Sequence, residues 1–250
     1  MSVSTSPLPR TWPRENQLLA ALPAADLERL LPYLRPAPLP LGAVLFESQS
    51  PMRHCYFLVS GLVSVLQILK DGHMAEIAVI GNDGCVGVAI LLGTRTTPSR
   101  AVVQIAGHAY RIDSDVVLSE FSKGGPIQSV LLRYVQSLMA QIEQTAVCNR
   151  HHSIEQQLCR WLLMSLDRVP SNKVSMTQEL IGNMLGVRRG GITEAARKLQ
   201  AKGLISYSRG NIIVPDRAKL GAHACECYSV VKREADRLSS PPPRGVVLNA

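Results

Sequence analysis

Apolar positions change their spacing several times along the 250-residue chain, and each change marks a different kind of element. Residues 1–13 carry no apolar period and are rich in Ser, Thr and Pro, which predicts a loose leader over 1–14. From Glu15 to Leu34, leucines at 18, 19, 22, 27, 30, 31 and 34 recur at helical spacing, with Pro23 and Pro32 between them. Short helices are expected there. After Pro36, Pro38, Pro40 and Gly42 the pattern turns to short apolar runs: Ala43–Glu47, Cys55–Val59, Leu62–Leu69, Met74–Ile80, Ala101–Ala106 and Ala109–Ile112. Ser60-Gly61, Lys70-Asp71-Gly72, Gly81-Asn82-Asp83-Gly84 and Gly107-His108 separate them, and such steps permit the positive φ of tight hairpins. The region reads as a small antiparallel sandwich or roll.

Beyond Pro126 the period is helical again. Leu131, Val135, Leu138 and Ile142 alternate steps of four and three, and Thr145 and Asn149 extend the seam. A helix of about 24 residues would span roughly 36 Å, which favours a two-stranded coiled coil over a helix packed on its own chain. Ser153 and Gln156 have capping-box spacing, and Ile154, Leu158, Trp161, Leu162 and Ser165 form one face of the next helix, which Pro170-Ser171-Asn172 ends. Thr177 can cap a helix with Leu180, Ile181, Met184 and Leu185 on one side, and Gly186 supplies the left-handed residue that stops it. A second helix follows, with Ile192, Ala195, Ala196 and Leu199 inward and Arg189, Gly190, Thr193, Glu194 and Arg197 outward. Leu204–Ser208 and Asn211–Val214 then form a wing around Arg209-Gly210. The predicted fold is α+β: an antiparallel roll over 15–125, a dimerisation helix over 126–150, a winged helix-turn-helix over 151–235 and, from Ser239-Ser240-Pro241-Pro242-Pro243, a disordered tail over 236–250.

Charge locates the chemistry. The chain carries 27 basic and 19 acidic side chains, a net +8. Residues 1–150 hold 12 and 11 of them (+1), whereas 151–250 hold 15 and 8 (+7). The basicity therefore belongs to the last hundred residues and suggests a polyanionic partner, although charge alone does not separate nucleic acid from a membrane surface or mere solubility. Only 11 residues are aromatic, which argues against a surface that stacks single-stranded bases. Arg can present two donors to guanine, so Arg188 and Arg189, at the head of the second helix, are candidates for base readout. Thr177 and Gln178 can hold a phosphate at the start of the first helix, and Arg197, Lys198, Lys202 and Arg209 can neutralise others.

Six dispersed cysteines without a CxxC pair fit reduced thiols. Cys148, His151, His152 and Cys159 near the hinge at 149–153, and the Cys225-x-Cys227 pair, have no zinc spacing, so no metal is expected. The longest uncharged run, His54–Leu69, is 16 residues and falls short of a bilayer span. A cytoplasmic protein without export signal or membrane contact is expected. No GxSxG, HExxH or P-loop is present, and no enzyme is expected.

Over roughly residues 15–235 the chain resembles the Crp/Fnr family of bacterial transcription regulators. The resemblance rests on Tyr56-Phe57-Leu58-Val59-Ser60-Gly61, the long helix after Pro126, and Thr177-Gln178-Glu179-Leu180-Ile181-Gly182 leading to Leu185-Gly186-Val187-Arg188-Arg189. It implies a homodimer with an effector-binding roll of the double-stranded β-helix type, reading palindromic double-stranded DNA and working with RNA polymerase. Members that bind cyclic AMP carry a Gly-Glu-Leu turn and an Arg-Ser/Thr-Ala step. Here Gly84, Cys85 and Val86 occupy the turn without a carboxylate, and Ser99-Arg100-Ala101 displaces the arginine by one. These are the effector candidates, and a cyclic nucleotide is not expected. Iron–sulfur members use an N-terminal cysteine cluster, and no cysteine precedes Cys55, so no such cluster is expected. The competing reading is a small-molecule sensor whose C-terminal domain docks a protein; steep salt dependence of duplex binding separates the two.

Where the family commonly has Glu after Arg189, this chain has Gly190-Gly191. Two glycines within a helix cost about 1 kcal/mol each relative to Ala, and the missing carboxylate removes an acceptor for cytosine. Relaxed preference at one base pair is predicted, and Gly190→Glu should restore it in a base-substitution binding series. Unchanged preference at every position would sink the idea.

Overall fold

The computed structural model describes residues 12–239. A 3-10 turn, Trp12–Glu15, leads into α1, Gln17–Ala20, capped by Asn16. The Asn16 side-chain oxygen accepts from the Leu18 and Leu19 amides at 3.1 Å, and its Nδ2 donates to the Leu58 and Gly84 carbonyls at 2.8 Å. A fully buried amide thus has all its partners and ties the first helix to the sheet. α2, Ala24–Leu30, follows. The expected leader is ordered from Trp12 onward; residues 1–11 lie outside the described residues.

The roll contains β1, Arg35–Leu39, β2, Val44–Phe46, β3, His54–Ile68, β4, Met74–Ile80, β5, Cys85–Val86, and β6, Arg100–Asp113, in the antiparallel order β1-β6-β3-β4, with β2 on β6 and β5 on β3. Two corrections follow. The prolines expected only to frame the sheet lie within β1, where Pro36 and Pro38 are tolerated because β1 is an edge strand. Ser60-Gly61 and Gly107-His108 are not turns: they sit inside β3 and β6, where the two strands cross closely and the register shifts. A Cβ on Gly107 would stand 2.2 Å from the Ser60 carbonyl oxygen, and one on Gly61 2.6 Å from that of Ile105. The glycines are there so that two backbones can approach, with Gly61 also at φ +84.

The chain then forms α3, Ser114–Ser122, which the apolar pattern does not announce, and α4, Gly125–His151. The seam expected to meet a second helix packs on its own chain. Leu131, Val135 and Leu138 are buried in the core shared with Leu18, Leu19 and Phe57, and Ile142 lies partly buried against it. Leu131, Val135 and Leu138 each stabilise the chain by roughly 1.5–3 kcal/mol where they are, so the seam is occupied by the chain's own core. The outward stripe of α4 is instead the one carrying Leu132, Met139 and Val147, which are exposed.

The C-terminal part comprises α5, Ile154–Leu166, β7, Lys173–Ser175, α6, Gln178–Leu185, α7, Arg189–Ala201, β8, Ser206–Ser208, β9, Asn211–Ile213, α8, Arg217–His223, and α9, Glu226–Ser239. Ser153 and Gln156 make the capping box. β7, absent from the two-strand wing expected, completes the order β7-β9-β8. α9 runs antiparallel along α4, with Arg133 Nη2 donating to the Arg237 carbonyl at one end and the Cys148 and Cys225 sulfurs meeting at the other. The expected tail is therefore helical as far as Ser239, and residues 240–250 lie outside the described residues.

The two parts share a core. Leu66 of β3, with Met74 and Val102 beside it, packs among Trp161, Met184 and Leu185. At its centre Trp161 Nε1 donates to Glu76 Oε1 at 2.9 Å, and Ser64 Oγ donates to Glu76 Oε2. Burial pushes the Glu76 carboxyl from 4.5 up to about 7, opposed by the Ser64 and Trp161 hydrogen bonds and the fields of Arg160 and Arg168. A carboxyl that holds its proton more tightly when folded contributes most below pH 4.5 and loses that contribution as pH rises through 7. The loss across that window is on the order of 3 kcal/mol. Urea unfolding of parent and Glu76→Gln at several pH values should show the parent's stability falling relative to the variant's over this window. Parallel curves would rule the assignment out.

Candidate nucleic-acid interface

Thr177 caps α6 by accepting from the Leu180 amide at 3.2 Å, and Gly186 ends it at φ +65. Gly182 is required for the turn, since a Cβ there would approach the Val187 carbonyl oxygen to 2.9 Å. α7 buries Ile192, Ala195, Ala196 and Leu199 in the same core as Ile181, Met184 and Leu185 of α6. Its outer face, with Arg188 just before it, carries exposed Arg189, Gly190, Thr193, Glu194 and Arg197. Thr193 Oγ1 donates to Gln178 Oε1 at 2.6 Å, which fixes the start of α6 against α7. In the wing, Arg209 at φ 49 and Gly210 at φ 77 make a two-residue turn with both residues left-handed.

These elements line a concave surface with Thr177, Gln178 and Glu179 from the start of α6, Arg189 from α7, and Tyr207, Ser208, Arg209 and Gly210 from the wing. Tyr207 and Ser208 were not among the sequence-selected residues; an aromatic one strand-step before the Arg-Gly turn was the available signal. Tyr207 is fixed in place, its hydroxyl donating to the Met176 carbonyl at 3.2 Å and its amide to Gln200 Oε1 at 2.9 Å.

Not every selected cation faces this surface. Lys198 and Lys202 turn to Glu155 of α5 at 3.0 and 3.3 Å, and these lysines, Lys198 first, hold the Glu155 carboxyl below its ordinary range. Arg197 makes a two-point pair with Glu194 at 2.8 and 3.1 Å. Gly190 and Gly191 occupy the first turn of α7, not its interior. Gly190 faces open space, so a larger side chain is tolerated there, whereas a Cβ on Gly191 would meet Ile154 Cδ1 at 2.7 Å.

The effector candidates are not gathered around one opening. Cys85 and Val86 have no exposed surface and pair with Phe57 and Tyr56, near one end of the β3–β6 ladder. Gly84 lies under the Tyr134 ring, whose hydroxyl donates to the Cys85 carbonyl at 2.9 Å. Arg100 pairs with Leu66 at the other end of the ladder, with its Nε 3.1 Å from Glu47, and Ser99 Oγ accepts from Gln67 at 3.0 Å. By contrast, the structure unites four residues that the sequence left apart: the donor atoms of Cys148, His152, Cys225 and Cys227 all lie within 4.8 Å of one another, while Cys159 and His151 stand outside that group.

An antiparallel roll followed by a long helix and a winged helix-turn-helix defines a sensor domain joined to a duplex-binding module. The matching family models are a cyclic nucleotide-binding domain over residues 37–123 and a Crp-like helix-turn-helix domain over 156–222. The chain belongs to the Crp/Fnr family and is a DNA-binding transcriptional regulator with an N-terminal sensor domain. A curated relative, the CRP-like cAMP-activated global transcriptional regulator of Mycobacterium tuberculosis, is 20% identical over 204 residues, 78% of this chain and 90% of that protein. Among solved structures, FixK2 from Bradyrhizobium japonicum matches with a TM-score of 0.67 at 15% identity, covering 77% of this chain and 98% of its own. A Crp/Fnr-family protein from Eubacterium rectale matches with a TM-score of 0.67 at 16% identity, covering 84% and 98%. The family consists of transcription regulators, generally without enzymatic activity. Among the described residues no helix is long and apolar enough to cross a membrane.

The placement of the cations gives a test. Arg209 faces the concave surface and Lys202 faces Glu155. Arg209→Ala should lower the salt slope of duplex binding by about 0.9, the value for one phosphate contact, and Lys202→Ala should leave it unchanged. Equal slopes for the two variants would contradict the assignment.

Proposed function

We propose that the chain acts in the cytoplasm as a homodimer that binds a palindromic operator and answers to its roll domain. The observation that carries this reading is the concave surface in which the α6 N-terminus, Arg189 of α7 and the wing converge. Arg188 and Arg189 read base edges in the major groove, Thr177, Gln178 and Arg209 hold phosphates, and Thr193 and Gly190 face the groove with them. Glu194 and Arg197 act as a pair beside the groove, and Lys198 stays with Glu155 until a phosphate competes for it.

Dimerisation uses the outward stripe of α4, since Leu132, Met139 and Val147 keep 37%, 49% and 47% of their surface exposed while the inner seam is consumed by the roll. The signal is not a cyclic nucleotide: Cys85 and Val86 are buried in a turn without a carboxylate, and Arg100 stands at the other end of the β3–β6 ladder, engaged by Glu47. A different small molecule or a protein contact at the roll, and RNA polymerase as the downstream partner, complete the reading.

Selection of bound sites from a random duplex pool should enrich two inverted half-sites about 10 base pairs apart. Failure to enrich any duplex at low salt would defeat the reading and leave the protein-docking alternative. Met139→Asp should shift the chain toward monomer in sedimentation and weaken binding to the selected palindrome by at least tenfold. An unchanged dimer would place the interface elsewhere.

A further inference from the structure

The hinge between the two parts holds a group that DNA binding does not use. Cys148 is in the last turn of α4 and His152 directly follows that helix, so the two are one helical step apart on the same side. Cys225 and Cys227 flank the first residue of α9. The Cys148 and Cys225 sulfurs are 3.5 Å apart, and the Cys227 sulfur is 3.6 Å from His152 Nδ1. We propose that Cys148, His152, Cys225 and Cys227 bind one zinc ion in a four-coordinate site that fastens the C-terminal helix to the end of the long helix.

Distances decide the kind of site. A tetrahedron with Zn–S near 2.3 Å and Zn–N near 2.0–2.1 Å has S···S edges of about 3.8 Å and S···N edges of about 3.6 Å. Four donors within 4.8 Å of one another enclose a single ion, whereas an iron–sulfur cluster spreads its thiolates over several irons. A disulfide would need sulfurs at about 2.05 Å, and all six cysteines are free thiols.

The surroundings are those of a metal site. His152 turns Nδ1 to the sulfurs and Nε2 to the Glu226 carboxylate at 3.3 Å, the outer contact that fixes which imidazole nitrogen is available to a metal. Gln157 Nε2 donates to the Cys148 and His152 carbonyls at 3.5 and 2.9 Å, which holds the two ligands from one helix together. Three thiolates, a neutral imidazole and Zn2+ sum to −1. Arg160, 4% exposed, stands close enough for its charge to act on the Cys148 and Cys227 thiols, yet its hydrogen bonds go only to the Thr145 hydroxyl and its Nε has no partner among the described residues. The field of this buried guanidinium also reaches the Glu76 carboxyl, and the zinc–thiolate group would place a second negative charge beside it.

The test uses the full-length chain, purified under reducing conditions, stripped with chelator and reloaded with zinc chloride. Elemental analysis should find one zinc per chain. Cys227→Ser and His152→Ala should lose most of it, while Cys159→Ser and His151→Ala keep it. Cobalt chloride in place of zinc should give intense tetrahedral d–d bands and a thiolate-to-cobalt charge-transfer band in the parent, a readout that needs no variant to fold. Reloaded parent with less than a tenth of an equivalent of zinc and no charge-transfer band would overturn the site. So would zinc content unchanged in Cys227→Ser and His152→Ala, stoichiometric iron and sulfide on these ligands, or a Cys148–Cys225 disulfide that persists under reductant.

Discussion

A carboxylate removed from water must either keep its proton or find donors for both oxygens, and Glu76 meets this constraint at the junction of two domains. One oxygen accepts from Ser64 of the roll and the other from Trp161 of the DNA-binding part. Neither domain alone supplies both donors, so the carboxyl is satisfied only when the two are docked. The shared apolar contacts of Leu66 and Met74 with Met184 and Leu185 add burial to this directional bond. The roll therefore holds the winged domain through α5 and α6, by way of β4.

Docking also explains the division of labour on α4. Its inner stripe closes the roll, α9 lies along another face, and Leu132, Met139 and Val147 are left on a third. A heptad-like repeat reports that one stripe is buried; it carries no information about which body does the burying. The sequence therefore yields the helix, its length and a buried face, while the identity of the covering surface emerges only from the three-dimensional arrangement. A one-residue displacement separates Leu131 from Leu132, and with it the seam used inside the chain from the stripe left exposed.

The same distinction between local and remote causes runs through the rest of the molecule. The helix-turn-helix was legible because its determinants are local: a capping threonine, a left-handed glycine and a basic helix start lie within thirteen residues, Thr177 to Arg189. The two long strands were misread as four because Gly61 and Gly107 look like turn residues; their need for glycine comes from each other's backbones, 46 positions apart, and not from local chain reversal. The cysteine–histidine group, whose two halves have no zinc spacing of their own, could not be assembled from the sequence for the same reason. Cys148-x3-His152 and Cys225-x-Cys227 are each uninformative spacings, and only the antiparallel packing of α9 on α4 superposes them.

Charge gives the last instance. The excess of seven positive charges over residues 151–250 describes a domain, but a duplex meets a surface. Several of the domain's cations are paired where they stand: Lys198 and Lys202 with Glu155, Arg197 with Glu194, Arg217 with Asp167, Lys232 with Asp236 and Arg168 with Asp83, the last carboxylate coming from the roll. Paired charges cancel at distances beyond the roughly 8 Å screening length of physiological salt, so they contribute little to the field a phosphate backbone feels. The cations on the lining of the concave face are Arg189 and the wing tip, Arg209, which outnumber its one carboxylate, Glu179, and Arg188 stands exposed just before the groove-reading helix. The pairing pattern thus converts a diffuse basic composition into a positive field at the place where the fold presents a helix N-terminus, whose own dipole has the same sign.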